Sequence, residues 1–128
     1  MNERILTDRR GHVLVITINR PEARNAFDGA SAQALEAAID LLDSDDDLFV
    51  GVITGAGGHF SAGADLKAAA RGERAATKRG GFGMFARPPR KPVIAAVANA
   101  IYDATGVRLR RVPFRSERVL AALKAANT

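Results

Sequence analysis

The chain has 128 residues, of which 47% are apolar, enough for a single globular domain. Its net charge is +5, from 19 basic and 14 acidic residues, and no apolar run approaches the roughly 18 residues of a membrane helix, so no membrane partner is expected. The absence of cysteine excludes a disulfide framework, thiolate catalysis and cysteine-ligated metals, and the expected location is the reducing cytoplasm.

Two strands and a helix are the first elements that the sequence predicts. Arg4 to Thr7 and His12 to Ile18 have the composition of strands, and Asp8 to Gly11 between them reads as a turn. Ala30 to Leu42 carries apolar residues at i, i+3 and i+4 spacing. This spacing predicts an amphipathic helix.

Polar residues border this helix at both ends. Asp28 or Ser31 can cap its first turn. The run Asp43 to Asp47 after it resembles the composition of a calcium site, but it lacks the sixth-position glycine and the final glutamate of an EF-hand. We interpret the run as a solvated turn between helix and strand, and we predict no metal site.

A glycine-rich turn follows the next strand. Phe49 to Thr54 is apolar and β-branched enough for a buried strand, and three glycines end it, Gly55, Gly57 and Gly58. Asp65 to Ala70 favours a helix, so the N–H groups of Gly63 and Ala64 lie near its beginning. Such N–H groups can bind an anion or a carbonyl oxygen that gains negative charge. A plain β-α turn is the alternative, and the spacing matches neither a dinucleotide fingerprint nor a Walker P-loop.

The segment from Arg71 to Phe85 is polar and basic, and it becomes glycine-rich at its end. Its three large apolar residues, Phe82, Met84 and Phe85, either line a ligand pocket or pack on the core, and core packing is the preferred interpretation. Val93 to Val97 predicts another strand. In the tail, Val107 to Val112 predicts a short strand and Ser116 to Ala125 a helix.

Basic residues cluster in the middle of the chain, from Arg71 to Lys91, and near its end, from Arg108 to Arg118. A solvated surface explains them most simply. Binding to nucleic acid is not expected, because the chain has only one Tyr, six Phe and no Trp for base stacking. Contacts of Arg24 and Lys91 with a phosphate-bearing small molecule stay an alternative.

Three stretches of the chain resemble the crotonase superfamily, the enoyl-CoA hydratases and isomerases. Phe60 to Leu66, preceded by Val52 to Gly55, resembles its first oxyanion-hole signature. Leu14 to Phe27 is similar to its first CoA-binding segment, and Arg90 to Val97 to the strand entering its core. The resemblance covers Met1 to about Val97.

This resemblance implies an α/β crotonase-like (ClpP/crotonase) β-α superhelix that acts on a CoA thioester, without another cofactor. It implies that the backbone N–H of Ala64 donates to the thioester oxygen. The implied CoA-binding residues are Arg24, Ala26, Gly63, Asp65 and Leu66, with the Asp65 and Leu66 backbone near the adenine.

The residues after Val97 depart from the family's pattern. A second glycine-rich oxyanion turn and acid/base glutamates would be expected there, and they are absent. From about Ala98 the sequence resembles instead the C-terminus of the molybdenum hydroxylases, the xanthine dehydrogenase and aldehyde oxidase large subunits. We therefore expect residues 1–97 to be a partial acyl-CoA-binding domain lacking the second half of the superhelix, and residues 98–128 to be a short unrelated α/β tail joined by fusion.

Three functions remain open at this point. The preferred one is a crotonase-like fragment with a partial acyl-CoA site and little or no catalysis. The second is an active enoyl-CoA hydratase of fatty-acid metabolism, in which Asp103 replaces the missing acid. The third is a module that self-associates or docks on intact crotonase subunits. Asp65 as a general base is less expected than Asp65 as a helix cap, and His59 is expected to be a plain loop residue.

Overall fold

A computed structural model of the chain describes residues 3–96 and Lys124. The chain divides into two units, Met1–Ala96 and Val97–Thr128, and every element described below belongs to the first. In chain order these elements are β1 (Ile5–Arg10), β2 (Val13–Ile18), α1 (Gly29–Ser44), β3 (Val50–Gly55), α2 (Leu66–Ala70), β4 (Ala76–Thr77), β5 (Gly80–Gly81) and β6 (Val93–Ala95), with 3-10 turns at Pro21–Ala23 and Ala56–Gly58.

The main sheet has four strands in the order β1-β2-β3-β6. The first pair is antiparallel, whereas β2–β3 and β3–β6 are parallel, with Ile16 opposite Ile53 and Ile53 opposite Ala95. A parallel pair needs a crossover connection, and α1 supplies the one between β2 and β3. A second sheet pairs only the two short strands β4 and β5.

The core lies between α1 and one face of the main sheet. Side chains of β2 alternate between half-buried and buried, and the buried ones, Leu14, Ile16 and Ile18, belong to the same cluster as Leu35 and Ile39 of α1. Burying each such side chain contributes about 1.5–3 kcal/mol. This burial fixes α1 against the sheet.

Gly51 of β3 allows the close approach of this helix. A Cβ atom at position 51 would lie 2.9 Å from a methyl carbon of Leu42 and 3.3 Å from one of Val93. The strand therefore leaves room for α1 because it carries no side chain there.

The predicted turn at Asp8 to Gly11 is wrong in its bounds. Strand β1 continues through Arg10, and the hairpin turns over Gly11 and His12, with Gly11 at φ +61°. A two-residue hairpin favours a left-handed residue at this position. The charged side chains of β1 are compatible with a strand because β1 forms an exposed edge of the sheet.

The other elements predicted within residues 3–96 are present with shifted ends. Helix α1 begins one residue earlier than predicted and runs two residues further, to Ser44, while β3 begins at Val50 rather than Phe49. The strand predicted for Val93 to Val97 is observed at Val93–Ala95. The tail strand and tail helix lie outside the described residues except for Lys124, which is helical. No helix in the described part of the chain is both long and apolar enough to cross a membrane.

Candidate functional site

The glycine-rich turn is held against the backbone of Phe27 by an isolated parallel bridge between Phe27 and Ala64. The N–H of Phe27 donates to the carbonyl of Gly63 at 2.8 Å, and the N–H of Asp65 donates to the carbonyl of Phe27 at 2.8 Å. In an extended segment, successive backbone groups point to opposite sides. The N–H of Ala64 therefore points away from Phe27.

Ala64 is exposed, and its N–H donates to no acceptor within residues 3–96. Gly63 before it has a φ of +94°, a left-handed conformation that glycine adopts without strain. The turn thus has one backbone donor that no acceptor of residues 3–96 engages, and its binding of an anion or a carbonyl oxygen stays a prediction.

Asp65 caps α2, which was the expected role. Its Oδ1 accepts the N–H groups of Lys67 at 2.9 Å and Ala68 at 3.1 Å, and its Oδ2 accepts Nη1 of Arg20 at 2.7 Å. The hydrogen bond from Ala68 and the one from Arg20 lower the pKa of Asp65 below its ordinary value. A carboxylate stabilised in this way is a poor proton acceptor at neutral pH, which argues against Asp65 as a general base.

Asn25 joins the segment before α1 to the glycine-rich turn. This fully buried side chain accepts the N–H of Arg20 at 2.8 Å and donates to the carbonyls of Ala56 at 2.9 Å and His59 at 2.6 Å. Its φ is +57°, a conformation that asparagine tolerates better than most residues. Asn25 was not predicted from the sequence as a site residue, although asparagine in a turn after a proline is a recognisable signal.

Further hydrogen bonds tie the same two segments together. Ser61 Oγ donates to the carbonyl of Asn25 at 2.8 Å and accepts the N–H of Gly63 at 3.1 Å. The N–H of Ala62 donates to the carbonyl of Arg24 at 3.0 Å. The turn around Ala64 is therefore fixed from several sides before any ligand arrives.

An apolar cavity of about 390 Å³ lies beside this turn. Phe82 and Met84 pack against the core and also line the cavity, so the two alternatives for these residues are both realised. Phe85 is 65% exposed and its ring lies 5.4 Å from that of Phe82. The cavity is lined by Ile18, Phe27, Leu35, Ile53, Phe60, Ser61, Gly63, Phe82, Met84, Phe85, Val93 and Ala95.

The residues predicted to bind CoA lie on the two bridged segments. Arg24 is exposed, at the end of the 3-10 turn, and Leu66 is 81% exposed at the start of α2. Ala26 is buried, and its carbonyl accepts Nη1 of Arg20 at 3.1 Å. Both backbone groups of Asp65 already have protein partners, Phe27 for the N–H and Ala69 for the carbonyl. Any ligand contact of Asp65 would use the remaining lone pair of that carbonyl.

The two histidines do not form a catalytic pair with a carboxylate in the described residues. His12 stacks on Phe49 with ring centroids 4.1 Å apart, and its Nδ1 lies 2.7 Å from the carbonyl of Asp47. His59 contributes its backbone carbonyl to Asn25.

The basic residues of the middle cluster are not all solvated. Arg79 is 7% exposed, and its guanidinium contacts Asp40 at 2.7 Å and Asp43 at 3.3 Å. The N–H groups of Arg90 and Lys91 also donate to Asp43. Burial alone raises the pKa of Asp43, but these donors outweigh it and hold the pKa below its usual value.

The acidic run from Asp43 to Asp47, which begins in the last turn of α1, is likewise engaged with protein groups. The carboxylate of Asp43 accepts the N–H of Arg90. The carboxylate of Asp45 accepts the N–H of Asp47 at 2.9 Å and forms an ion pair with Arg9. Among the described residues, no group of three or more histidines and carboxylates is arranged to hold a metal ion.

Comparison with known proteins identifies the family. A family model for enoyl-CoA hydratase/isomerase matches residues 8–110. The enoyl-CoA hydratase EchA19 of Mycobacterium tuberculosis is 42% identical over 72% of this chain and 38% of its own length. The carnitinyl-CoA dehydratase of Salmonella arizonae is 45% identical over 76% of this chain and 39% of its own. The chain thus spans about two fifths of the length of these relatives.

Solved structures agree in fold. The probable enoyl-CoA hydratase/isomerase of Mycobacterium abscessus superimposes with a TM-score of 0.71 and 55% identity, over 74% of this chain and 37% of that one. The predicted crotonase-like α/β fold is thereby confirmed. The family match reaches residue 110, beyond the boundary predicted at Val97, and the molybdenum-hydroxylase-like tail stays a prediction. By its matched residues and its fold, the chain belongs to the enoyl-CoA hydratase/isomerase family of the crotonase superfamily.

Proposed function

We propose that the first 97 residues form part of an acyl-CoA thioester site in which the Ala64 N–H hydrogen-bonds the thioester oxygen. The observation that carries the proposal is the Phe27–Ala64 bridge, which leaves this N–H without a partner in the described part of the chain. The apolar cavity beside Gly63 is a suitable place for the acyl group. The exposed Arg24 supplies positive charge for the phosphates of CoA.

The relatives support this assignment of substrate class. Their names describe a hydratase of enoyl-CoA and a dehydratase of carnitinyl-CoA. The residues implied to bind CoA, Arg24, Ala26, Gly63, Asp65 and Leu66, follow one another along two hydrogen-bonded segments next to the cavity. The absence of cysteine fits a site that works in the cytoplasm.

The proposed site has one oxyanion donor, and these 128 residues have no identified second donor or acid/base glutamate. Removing one such donor from an enzyme lowers kcat by about 10² to 10³. We therefore propose binding of acyl-CoA with little or no turnover by this chain alone. The proposed boundary with the tail stays at about Val97.

Calorimetric titration with a non-hydrolysable acyl-CoA ketone, in which CH2 replaces the thioester sulfur, tests the binding. We expect saturable binding that free CoA displaces. Ala64→Pro removes the N–H without breaking a protein hydrogen bond in the described residues, and it should weaken ketone binding up to about tenfold. Ala64→Gly keeps the N–H and is the matched control. Equal affinities for Ala64→Pro and Ala64→Gly would contradict the assigned role.

An active enoyl-CoA hydratase of fatty-acid metabolism is the second candidate, favoured by the name of the Mycobacterium tuberculosis relative. In this case Asp103 supplies the acid, and either Ala64→Pro or Asp103→Asn should abolish hydration of an enoyl-CoA. Hydration that survives both changes would eliminate this candidate, and absence of hydration in the unaltered chain would favour the first.

A further inference from the structure

Arg20 lies between the two carboxylates that cap the helices of the described unit. Its Nη1 is 2.7 Å from Oδ2 of Asp65, the cap of α2, and 3.6 Å from Oδ2 of Asp28, the cap of α1. The same nitrogen donates to the carbonyl of Ala26 at 3.1 Å. The side chains of all three ionic residues are largely buried, with 15% of Arg20, 8% of Asp28 and 12% of Asp65 exposed.

The carboxylate of Asp65 creates an electrostatic problem for its neighbour. Asp65 directly follows Ala64, whose N–H is the donor in the proposed function. A full negative charge one residue away opposes the negative charge that the donor is meant to stabilise, and this repulsion is strong where little water intervenes. The carboxylate is held at this position because its Oδ1 caps α2 by accepting two N–H groups of that helix.

We propose that Arg20 is a positioning residue for the Ala64 donor: it neutralises Asp65, so that this carboxylate can cap α2 without repelling a polarised carbonyl bound at Ala64. This inference rests on the proposed function of Ala64. Arg20 acts through Asp65, since it is not among the residues that line the described cavity beside the turn.

Asp28 and Asp65 differ in how many cations neutralise their negative charge. Asp28 already has Arg4, with Nη2 at 3.0 Å, and both the N–H and the Oγ of Ser31, each at 2.8 Å. Asp65 has Arg20 as its only cationic partner among the described residues. Loss of Arg20 therefore leaves Asp28 with one cationic partner, Arg4, and leaves Asp65 with none among the described residues.

Four proteins test the proposal: the unaltered chain, Arg20→Gln, Asp65→Asn and the double variant. Each is titrated with two ligands, the acyl-CoA ketone and the alkyl-CoA thioether of the same chain length, which lacks the carbonyl. A general disturbance of the structure would weaken the binding of both ligands. The ratio of the two Kd values isolates the interaction at the carbonyl, and the ¹³C shift of a labelled ketone reports its polarisation directly.

We expect Arg20→Gln to reduce the preference for the ketone about fivefold and to move the ¹³C shift toward its value in water. In the double variant the charge is gone and asparagine still caps, so the preference should return to within about twofold of the unaltered chain. Asp65→Asn alone should retain or increase the preference, a result that can be read even where Arg20→Gln fails to fold.

Other outcomes overturn the proposal at separate points. If Arg20→Gln weakens both ligands equally, or if the double variant shows no recovery, Arg20 has only a structural role. In that case Ala64→Pro still lowers the ketone preference, and the proposed function survives. If the unaltered chain shows no preference for the ketone and Ala64→Pro leaves both Kd values unchanged, the proposed function is wrong. The proposed role of Arg20 is then wrong as well.

Discussion

Within residues 3–96, two networks of ion pairs centre on Arg20 and on Arg79, and they stabilise different parts of the structure. The Arg20 network links the helix caps Asp28 and Asp65 and so fixes the glycine-rich turn. The Arg79 network links Asp40 and Asp43 on α1 to the basic segment after α2. One defines a backbone turn, and the other fastens a loop to a helix.

The loop held by Arg79 also shapes the cavity. Arg79 donates to the carbonyl of Arg87 at 3.0 Å, and Phe82 and Met84 between these two residues line the cavity wall. The Ala64 donor and the cavity therefore depend on two different arginine side chains, Arg20 and Arg79. We expect that each region can be perturbed without removing the other.

The largest effect is expected at Asn25. Asn25→Ala leaves the N–H of Arg20 and two carbonyls without their partner at a fully buried position, and it places alanine at a φ of +57°. We expect the free energy of unfolding to fall by about 4 kcal/mol. Urea unfolding measures it. Asn19→Ala is the control. It removes an exposed hydrogen bond from the Asn19 side-chain amide to the carbonyl of Glu3, and it should lower the free energy of unfolding by less than about 1 kcal/mol. Similar losses in both would show that the buried network is no stronger than a surface contact.

The next largest effect is expected in the other network. Arg79→Met leaves the buried Asp43 without its guanidinium partner, so the free energy of unfolding should fall by about 3 kcal/mol. The cavity wall should loosen while the turn at Ala64 stays, so amide hydrogen exchange should increase at residues 80–87 and remain unchanged at residues 61–65. Arg87→Met, at an exposed position, is the control. Faster exchange at both segments would mean that the networks are coupled.

A pH titration compares the carboxylates of the two networks. Burial opposes the charged forms of Asp43 and Asp28, but their hydrogen bonds prevail and lower both pKa values below the ordinary 3.8. As the pH falls, the unfolded chain binds protons first, so stability is fully present above about pH 5 and is lost as the pH passes below 4 toward the folded-state pKa.

Asp43→Asn and Asp28→Asn should each reduce the loss of stability at acid pH, here called the acid limb, and the double change should reduce it further. The midpoint of urea unfolding, measured from about pH 7 to about pH 3, reports the effect. An acid limb unchanged in both variants would show that other carboxylates dominate acid unfolding.

The smallest effect is expected at the exposed pair of Arg10 and Asp8 on β1. This pair lies at 3.0 Å, but its side chains are 74% and 61% exposed. Arg10→Ala should change the free energy of unfolding by less than about 0.5 kcal/mol, and added salt should remove the difference. A loss comparable to that of Arg79→Met would mean that distance, rather than burial, decides the strength of ion pairs in this chain.

The candidate site was partly visible in the sequence. Motif resemblance located Gly63, Ala64 and Asp65, and capping preference correctly gave Asp65 to α2. The ion pair between Arg20 and Asp65 was not visible in the sequence, because the two residues lie 45 positions apart. Lys91, considered for the CoA phosphates, instead donates through Nζ to the carbonyl of Asp45.

The sequence by itself determined the family, the order of the two helices and of the strands of the main sheet, and the local caps, but not the short strands β4 and β5. The family follows from the resemblance of three stretches to the crotonase superfamily. The elements and caps follow from apolar periodicity, glycine spacing and side chains that bond to backbone a few residues away. Only the tertiary structure decided that Asn25 secures the glycine-rich turn, that Arg79 is buried, and that Phe82 and Met84 serve core and cavity together. A charged or amide side chain has the same local pattern whether it is solvated or paired. Its partner is set by which distant segments the sheet and α1 bring within hydrogen-bond distance.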